Sequence, residues 1–326
     1  MRLSEFAGYG DKMEQLMRSV QAGRIVHALL LAGPHGSGKR TLARLFAQAM
    51  VCEGADRPCG VCPACKRFLA GSHPDVKLLR PEKKSIGVDE VRDLIDALAL
   101  RPYEGGRHIV LIEQADKLTP SAQNALLKTL ENPTGEAMFF LITDAPGALL
   151  STIVSRCQTV RFSDLSVEDC AGVLERRGMP PERARLLAGM AQGSVGRALE
   201  IDADGDWMAL RERVIGSLED LKDRASVAAA AVRLEDEKGA ESGMLEIMEL
   251  WARDLMAVQS GAAPYQAGET DRLLRCRLDG RALLKGVILA RMQLGSNVSW
   301  PNALENMYFH LTETGNSERK ALSWQR

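Results

Sequence analysis

The sequence predicts a parallel α/β domain of about five strands, followed by a mostly helical remainder. Three observations carry this. Short apolar runs alternate with helical periodicity through the first 165 residues. A glycine-rich loop ending in lysine joins the first such run to the first long helix. Apolar stripes at helical spacing then fill most of the chain from residue 166 onward. At 326 residues and 45% apolar composition, the chain is long enough for two or three domains with real cores. Its formal charge of -1 provides no overall basic field. Any contact with nucleic acid must therefore come from a local patch or a larger assembly. No export signal or long apolar span stands out, so a cytoplasmic protein is expected.

In chain order, residues 11–20 place Met13, Leu16, Met17 and Val20 on one face of a short helix that stops at Gly23. The apolar run 26–32 reads as the first strand. It leads into Gly33-Pro34-His35-Gly36-Ser37-Gly38-Lys39-Arg40-Thr41, and then into a helix marked by Leu42, Leu45, Phe46 and Ala49. Strand, glycine-rich loop and helix N-terminus form a phosphate cradle: inward N–H groups, close backbone approach and a lysine point charge. Gly33, Gly36, Gly38 and Lys39 have the required spacing. Arg40 stands where a Ser or Thr hydroxyl would hold Mg²⁺, and Thr41 comes one residue late. The loop is therefore expected to bind ATP and Mg²⁺ poorly, or not to turn ATP over; an ordinary strand-to-helix turn is the other reading.

Four of the seven cysteines follow in the pattern Cys52-x6-Cys59-x2-Cys62-x2-Cys65. With no export signal, this crowding argues for a metal rather than disulfides. Four thiolates on tight turns suit a closed, structural Zn²⁺ site. Free buried thiols and an iron–sulfur cluster are the alternatives, although the latter lacks the cysteine–proline that follows in the ferredoxin run. His73-Pro74-Asp75 precedes a second strand over 76–79, with His73 read as structural. Val88, Val91, Leu94, Ile95 and Leu98 mark a helix that Pro102 ends.

The run 109–112 reads as a strand buried on both faces. It ends in Glu113-Gln114, where P-loop ATPases present a magnesium-facing acid and often a second acid that positions water. Gln114 is an amide and cannot act as a carboxylate base, so the site reads as disabled for hydrolysis. Thr119-Pro120 is a helix start, with a hydroxyl cap and proline in the first turn, and the helix is expected to run to Glu131. A strand over 138–142 ends at Thr143, a short helix from Gly147 reaches Ser155-Arg156-Cys157, and 158–162 closes the sheet. Two or three short helices fill 166–200. After the joint Asp202-Ala203-Asp204-Gly205-Asp206, apolar stripes include Trp207, Leu210, Val214, Leu218 and Leu221, then Met244, Met248, Trp251, Leu255 and Val258.

The phosphate-loop pattern, the four-cysteine insert, His73-Pro74-Asp75, the run from Asn124 to Pro133 and Ser155-Arg156-Cys157 together resemble the AAA+ subunits of bacterial DNA polymerase III clamp loaders, and within them the delta-prime family. The resemblance covers about the first half of the chain. It implies an AAA+ nucleotide-binding-like domain over 1–165 with a zinc module at 52–65, a helical lid over 166–205 and an all-α collar domain over 206–326. It also implies that Arg156 acts as an arginine finger in trans on ATP held by a neighbouring gamma/tau subunit. A delta subunit, the sliding clamp and primer–template DNA would be the further partners, with no membrane involved. The nucleotide-site candidates, vestigial or not, are Gly33, Gly36, Gly38, Lys39, Arg40, Thr41, Glu113, Gln114, Thr143 and Arg197. Gly196 falls where the motor subunits carry a sensing arginine, and Arg197 is one residue late. Two other roles stay open on the residues alone: a self-sufficient ATPase using Thr41 and Glu113, and a DNA-binding zinc module using Arg57, Lys66 and Arg67.

Overall fold

A computed structural model describes residue 19 and residues 27–104, 106–131, 137–235 and 239–323. The helix expected over 11–20 lies outside the described residues apart from Ser19, as do Val26 and the Asn132-Pro133 end of the family-like run. The chain divides into two compact units, one of residues 1–165 with Ser194–Gly196, the other of Ser166–Gly193 with Arg197–Arg326.

The first unit is built on a five-stranded sheet in the order β2-β3-β4-β1-β5. Its strands are β1 (Ala28–Ala32), β2 (Val76–Leu79), β3 (His108–Ile112), β4 (Ala137–Thr143) and β5 (Gln158–Arg161). Every pairing is parallel, as the continuous apolar runs predict. β1, β3 and β4 are buried along their whole lengths, whereas β2 and β5, at the two edges, are not. The helices are α1 (Lys39–Val51), α2 (Pro63–Leu69), α3 (Val88–Leu98), α4 (Pro120–Glu131) and α5 (Ser151–Val154).

Side chains alternate across the sheet and so feed two core layers. Leu30, Val110, Ile112, Phe139 and Leu141 pack with Leu94 and Leu98 of α3, Leu126 and Leu130 of α4, and Ile153 of α5. Leu29, Leu31, Leu111, Phe140 and Ile142 face the other way and meet Leu42 and Phe46 of α1. Register brings Ala32 beside Thr143 and Ile112 beside Leu141, so the loops that follow β1, β3 and β4 leave from one edge. Ligands of open parallel sheets sit at this C-terminal edge. α4 starts as its sequence demands: Thr119 Oγ1 accepts the Ala122 N–H at 3.3 Å, and Pro120 opens the first turn. The short helix expected from Gly147 is instead a 3₁₀ turn (Pro146–Ala148) followed by α5.

Among the described residues of the second unit the regular elements are helices: α6 (Val167–Arg176), α7 (Pro181–Met190), α8 (Val195–Ala203, whose first two residues belong to the first unit), α9 (Gly205–Asp220), α10 (Val227–Glu235), α11 (Glu241–Gln259), α12 (Thr270–Arg275), α13 (Gly280–Gly295) and α14 (Trp300–Ser323), with 3₁₀ turns between some of them. The acidic joint is tighter than its composition suggests. α8 runs through Ala203, and Asp204 caps α9, its carboxylate accepting the N–H groups of Asp206 and Trp207. Both apolar stripes are buried, except for the half-buried Val258. No described helix is long and apolar enough to cross a membrane.

Candidate functional site

The phosphate loop leaves β1 with its glycines in demanding positions. A Cβ on Gly33 would lie 2.4 Å from the Phe162 carbonyl oxygen, and Gly38, which caps α1, has φ 91°. Lys39 is 4% exposed and already committed. Its ammonium donates to Pro34 O at 2.6 Å and Ser37 Oγ at 3.3 Å, and pairs with Asp144 Oδ1 at 2.8 Å. His35 Nδ1 lies 3.2 Å from the other oxygen of Asp144. The charge that would meet a phosphate thus meets a carboxylate of the same chain. Burial pushes the Asp164 carboxyl up, an effect the nearby Lys39 charge partly offsets.

The positions expected to face a metal are also taken. Arg40 Nε donates to Glu113 Oε1 at 2.7 Å, with Arg44 Nη1 at 3.9 Å from the same oxygen. A divalent ion beside Glu113 would have to displace a guanidinium. Thr41 is exposed, as is Gln114, which sits in a left-handed turn at φ 53°. Thr143 is buried, and its hydroxyl donates to Asp116 Oδ1 at 2.9 Å.

Where the motor subunits are expected to carry a sensing arginine, the Gly196 N–H donates to Gly36 O at 3.0 Å, and Ser194 Oγ donates to His35 O at the same distance. A Cβ on Gly196 would stand 2.5 Å from Gly36 Cα, so no arginine fits there without moving the loop. Arg197 belongs to the second unit, where its guanidinium forks onto both Glu246 oxygens at 2.9 and 2.8 Å.

Cys52, Cys59, Cys62 and Cys65 come together as their spacing predicts, with all four Sγ atoms within 4.8 Å of one another. Backbone N–H groups point at the sulfurs: Gly54 and Cys59 donate to Cys52, Cys62 to Cys59, and Cys65 to Cys62, at 3.3–3.4 Å. Such bonds favour thiolates. They hold Cys59 below the usual thiol range and Cys62 down at about 6, while burial pushes Cys65 up to about 12. Four cysteine sulfurs this close together, with N–H support, suit zinc, which would cross-link the insert without an open position for chemistry.

His73-Pro74-Asp75 is structural. Buried Asp75 accepts the N–H groups of Tyr103 and Glu104 at 2.6 and 3.0 Å. Glu104 in turn reaches both His73 Nε2, at 3.2 Å, and Arg67 of α2, at 2.6 Å.

Arg156 follows α5, anchored on either side by the buried Ile153 and by Cys157, which packs against the same core layer. Its Nη1 donates to Thr152 O at 2.8 Å, and its Nη2 is paired with Glu131 at the end of α4. The approach to α5 is fixed by the buried Gln123 of α4, which donates to Leu118 O and Ala148 O and accepts the Leu150 N–H at 2.7 Å.

Sequence reasoning missed Asp144, Asp116, Gln123 and Glu131. For Asp144 a signal existed, because it directly follows a strand that ends at the phosphate edge. The other three are set by tertiary packing.

A family model described as DNA polymerase III, delta subunit, matches residues 9–166. The chain is 31% identical over 314 residues to DNA polymerase III subunit delta' of Bacillus subtilis (strain 168), covering 92% of this chain and 95% of that one. It is 37% identical over 201 residues to the delta' subunit of Escherichia coli (strain K12), covering 60% of each chain. The tau subunit of the same E. coli strain matches at 32% over 244 residues, covering 71% of this chain but 38% of tau. Because the Bacillus match runs nearly end to end on both sides, this chain belongs to the family of DNA polymerase III delta' subunits.

Proposed function

We propose that this chain is the non-hydrolysing stator of a bacterial DNA polymerase III clamp loader, working through an arginine finger rather than through its own phosphate loop. The observation that carries the reading is the internal neutralisation of the loop. Lys39 is bound to Asp144, and Arg40 covers Glu113, so lysine and acid are both spent within the chain. Lys39 is buried in its pair, whereas the Arg156 guanidinium of Ser155-Arg156-Cys157 is 32% exposed and is paired with a carboxylate, Glu131, that is itself open to water. Placed against ATP on a neighbouring gamma/tau subunit, a guanidinium would stabilise the charge developing on the transferred phosphoryl group. Delta is the other partner in this reading. The clamp and primed DNA would be engaged through the complex, in the cytoplasm where replication takes place. Residues 166–205 would act as the lid and 206–326 as the collar, and the four cysteines would hold a structural zinc.

Two assays test this. The isolated chain should show no steady-state ATP hydrolysis above that of its Lys39→Ala variant. In the assembled loader, Arg156→Ala should lower hydrolysis at the site it faces by about a thousandfold, the low end for loss of an arginine finger. Turnover by the isolated chain that vanishes with Lys39→Ala would instead make it a motor subunit. An assembled loader indifferent to Arg156→Ala would remove the finger.

A further inference from the structure

We propose that Glu131 is a latch on the finger: it competes with the neighbouring subunit's ATP for the Arg156 guanidinium and so holds down hydrolysis in the absence of clamp and DNA. This inference rests on the finger reading of Arg156. Both terminal nitrogens of Arg156, the ends that a phosphoryl oxygen would have to take, are engaged, Nη1 by Thr152 O and Nη2 by Glu131. The finger is therefore parked. Its Nε–H is shut away from water with no hydrogen-bond partner. A buried donor left unmade is costly, so the parked arrangement is tolerated rather than optimal, and a better acceptor can draw the side chain out.

The position of Glu131 points the same way. It is the last residue of α4, where the backbone carbonyls concentrate partial negative charge and a carboxylate works against the helix. Its value at that place comes through Arg156. With side-chain exposures of 32% and 44%, the pair is open enough to water to be broken easily. A deep ion pair would be a permanent anchor, whereas a half-exposed one can exchange its carboxylate for a phosphate. Glu131 holds Nη2 through one carboxylate oxygen, and a phosphoryl oxygen would need that same N–H, so Glu131 and the nucleotide compete for it.

The test uses this chain assembled with the ATPase and delta subunits of its own clamp loader, with ATP but neither clamp nor DNA. Glu131→Gln keeps the shape of the side chain and removes its charge. It should raise the basal rate by about two- to fivefold, the range that a half-exposed ion pair can command. The excess over the parent should shrink as salt is raised, because screening weakens the same pair in the unaltered chain. The double variant Glu131→Gln/Arg156→Ala should match Arg156→Ala alone. Thermal melting of the isolated Glu131→Gln chain checks that its fold is intact.

A basal rate unchanged or lowered by Glu131→Gln, in a loader that Arg156→Ala still cripples, overturns the latch and leaves the finger standing. A loader unaffected by Arg156→Ala overturns both.

Discussion

At the scale of single residues, chemistry in this chain is decided by which charges already have partners. Lys39 and Glu113 sit where their sequence positions put them, yet Asp144 pairs with the one and Arg40 with the other. Neither pairing could be read from spacing, because the partners lie 105 and 73 residues apart in sequence. What the sequence does show is the substitution of Arg40 for a hydroxyl, and that substitution supplies the guanidinium on Glu113. Beside Arg156, Cys157 offers a test of this local packing. Burial pushes its thiol up to about 11, so little thiolate exists at neutral pH. Iodoacetamide at pH 8 should modify Cys157 roughly a hundredfold more slowly than an ordinary exposed thiol, as mass spectrometry of the labelled chain would show. The same shift carries a sign for stability. The folded state holds its proton more tightly than the unfolded chain, so this group leaves stability unchanged below about pH 9 and lowers it as pH rises toward 11. A Cys157 as reactive as the unfolded chain would mean that the residues around Arg156 are not packed as described.

At the scale of elements, the strands and the start of α4 were legible because each rests on a local cause. Five-residue apolar runs must be buried on both faces, and Thr119-Pro120 satisfies the first orphan N–H groups of a helix. The four-cysteine insert was legible for a different reason: cysteines two residues apart have few other uses. Its small size predicts that it depends on a metal. α2 has seven residues, of which Ala64, Cys65 and Phe68 are buried, and a helix so short does not persist alone. Phe68 ties it to one core layer, and the bridge from Arg67 through Glu104 to His73 ties it to the loop before β3. Zinc removal should therefore abolish hydrogen-exchange protection across 52–69 while leaving β1, β3 and β4 protected. Exchange followed by mass spectrometry, with and without a chelator, measures both. Equal loss in the strands would show that the metal supports the sheet, and no loss at all would show that the cysteines need no metal to hold their turns.

At the scale of the whole molecule, two compact units with separate cores make the metal's influence divisible. The first unit contains all four cysteines, whereas the second closes its core with Trp207, Val214, Met248, Trp251, Val287 and Tyr308 and has internal polar ties of its own. Asp254, fully buried, accepts Tyr265 N, Gln266 N and Gln266 Nε2 at 3.2, 3.1 and 2.9 Å. Ser217 and Tyr308 share a buried hydrogen bond at 2.8 Å. None of these contacts involves the sheet, so residues 166–326 expressed alone should fold and melt cooperatively. A ligand that binds only the folded first unit stabilises only that unit, by RT ln(1 + [L]/Kd). At free zinc a hundredfold above its dissociation constant, this amounts to about 2.7 kcal/mol. Chelation should accordingly lower the melting of the full chain by several degrees and leave the midpoint of the 166–326 fragment where it was. Calorimetry on both, at matched pH, decides it. Because thiols must lose protons to bind metal, and burial holds Cys65 at about 12, the zinc-dependent part of the melting temperature should also shrink as pH falls from 8 to 6. A fragment that shifts with the chelator, or a full chain that does not, would contradict a metal site confined to the first unit.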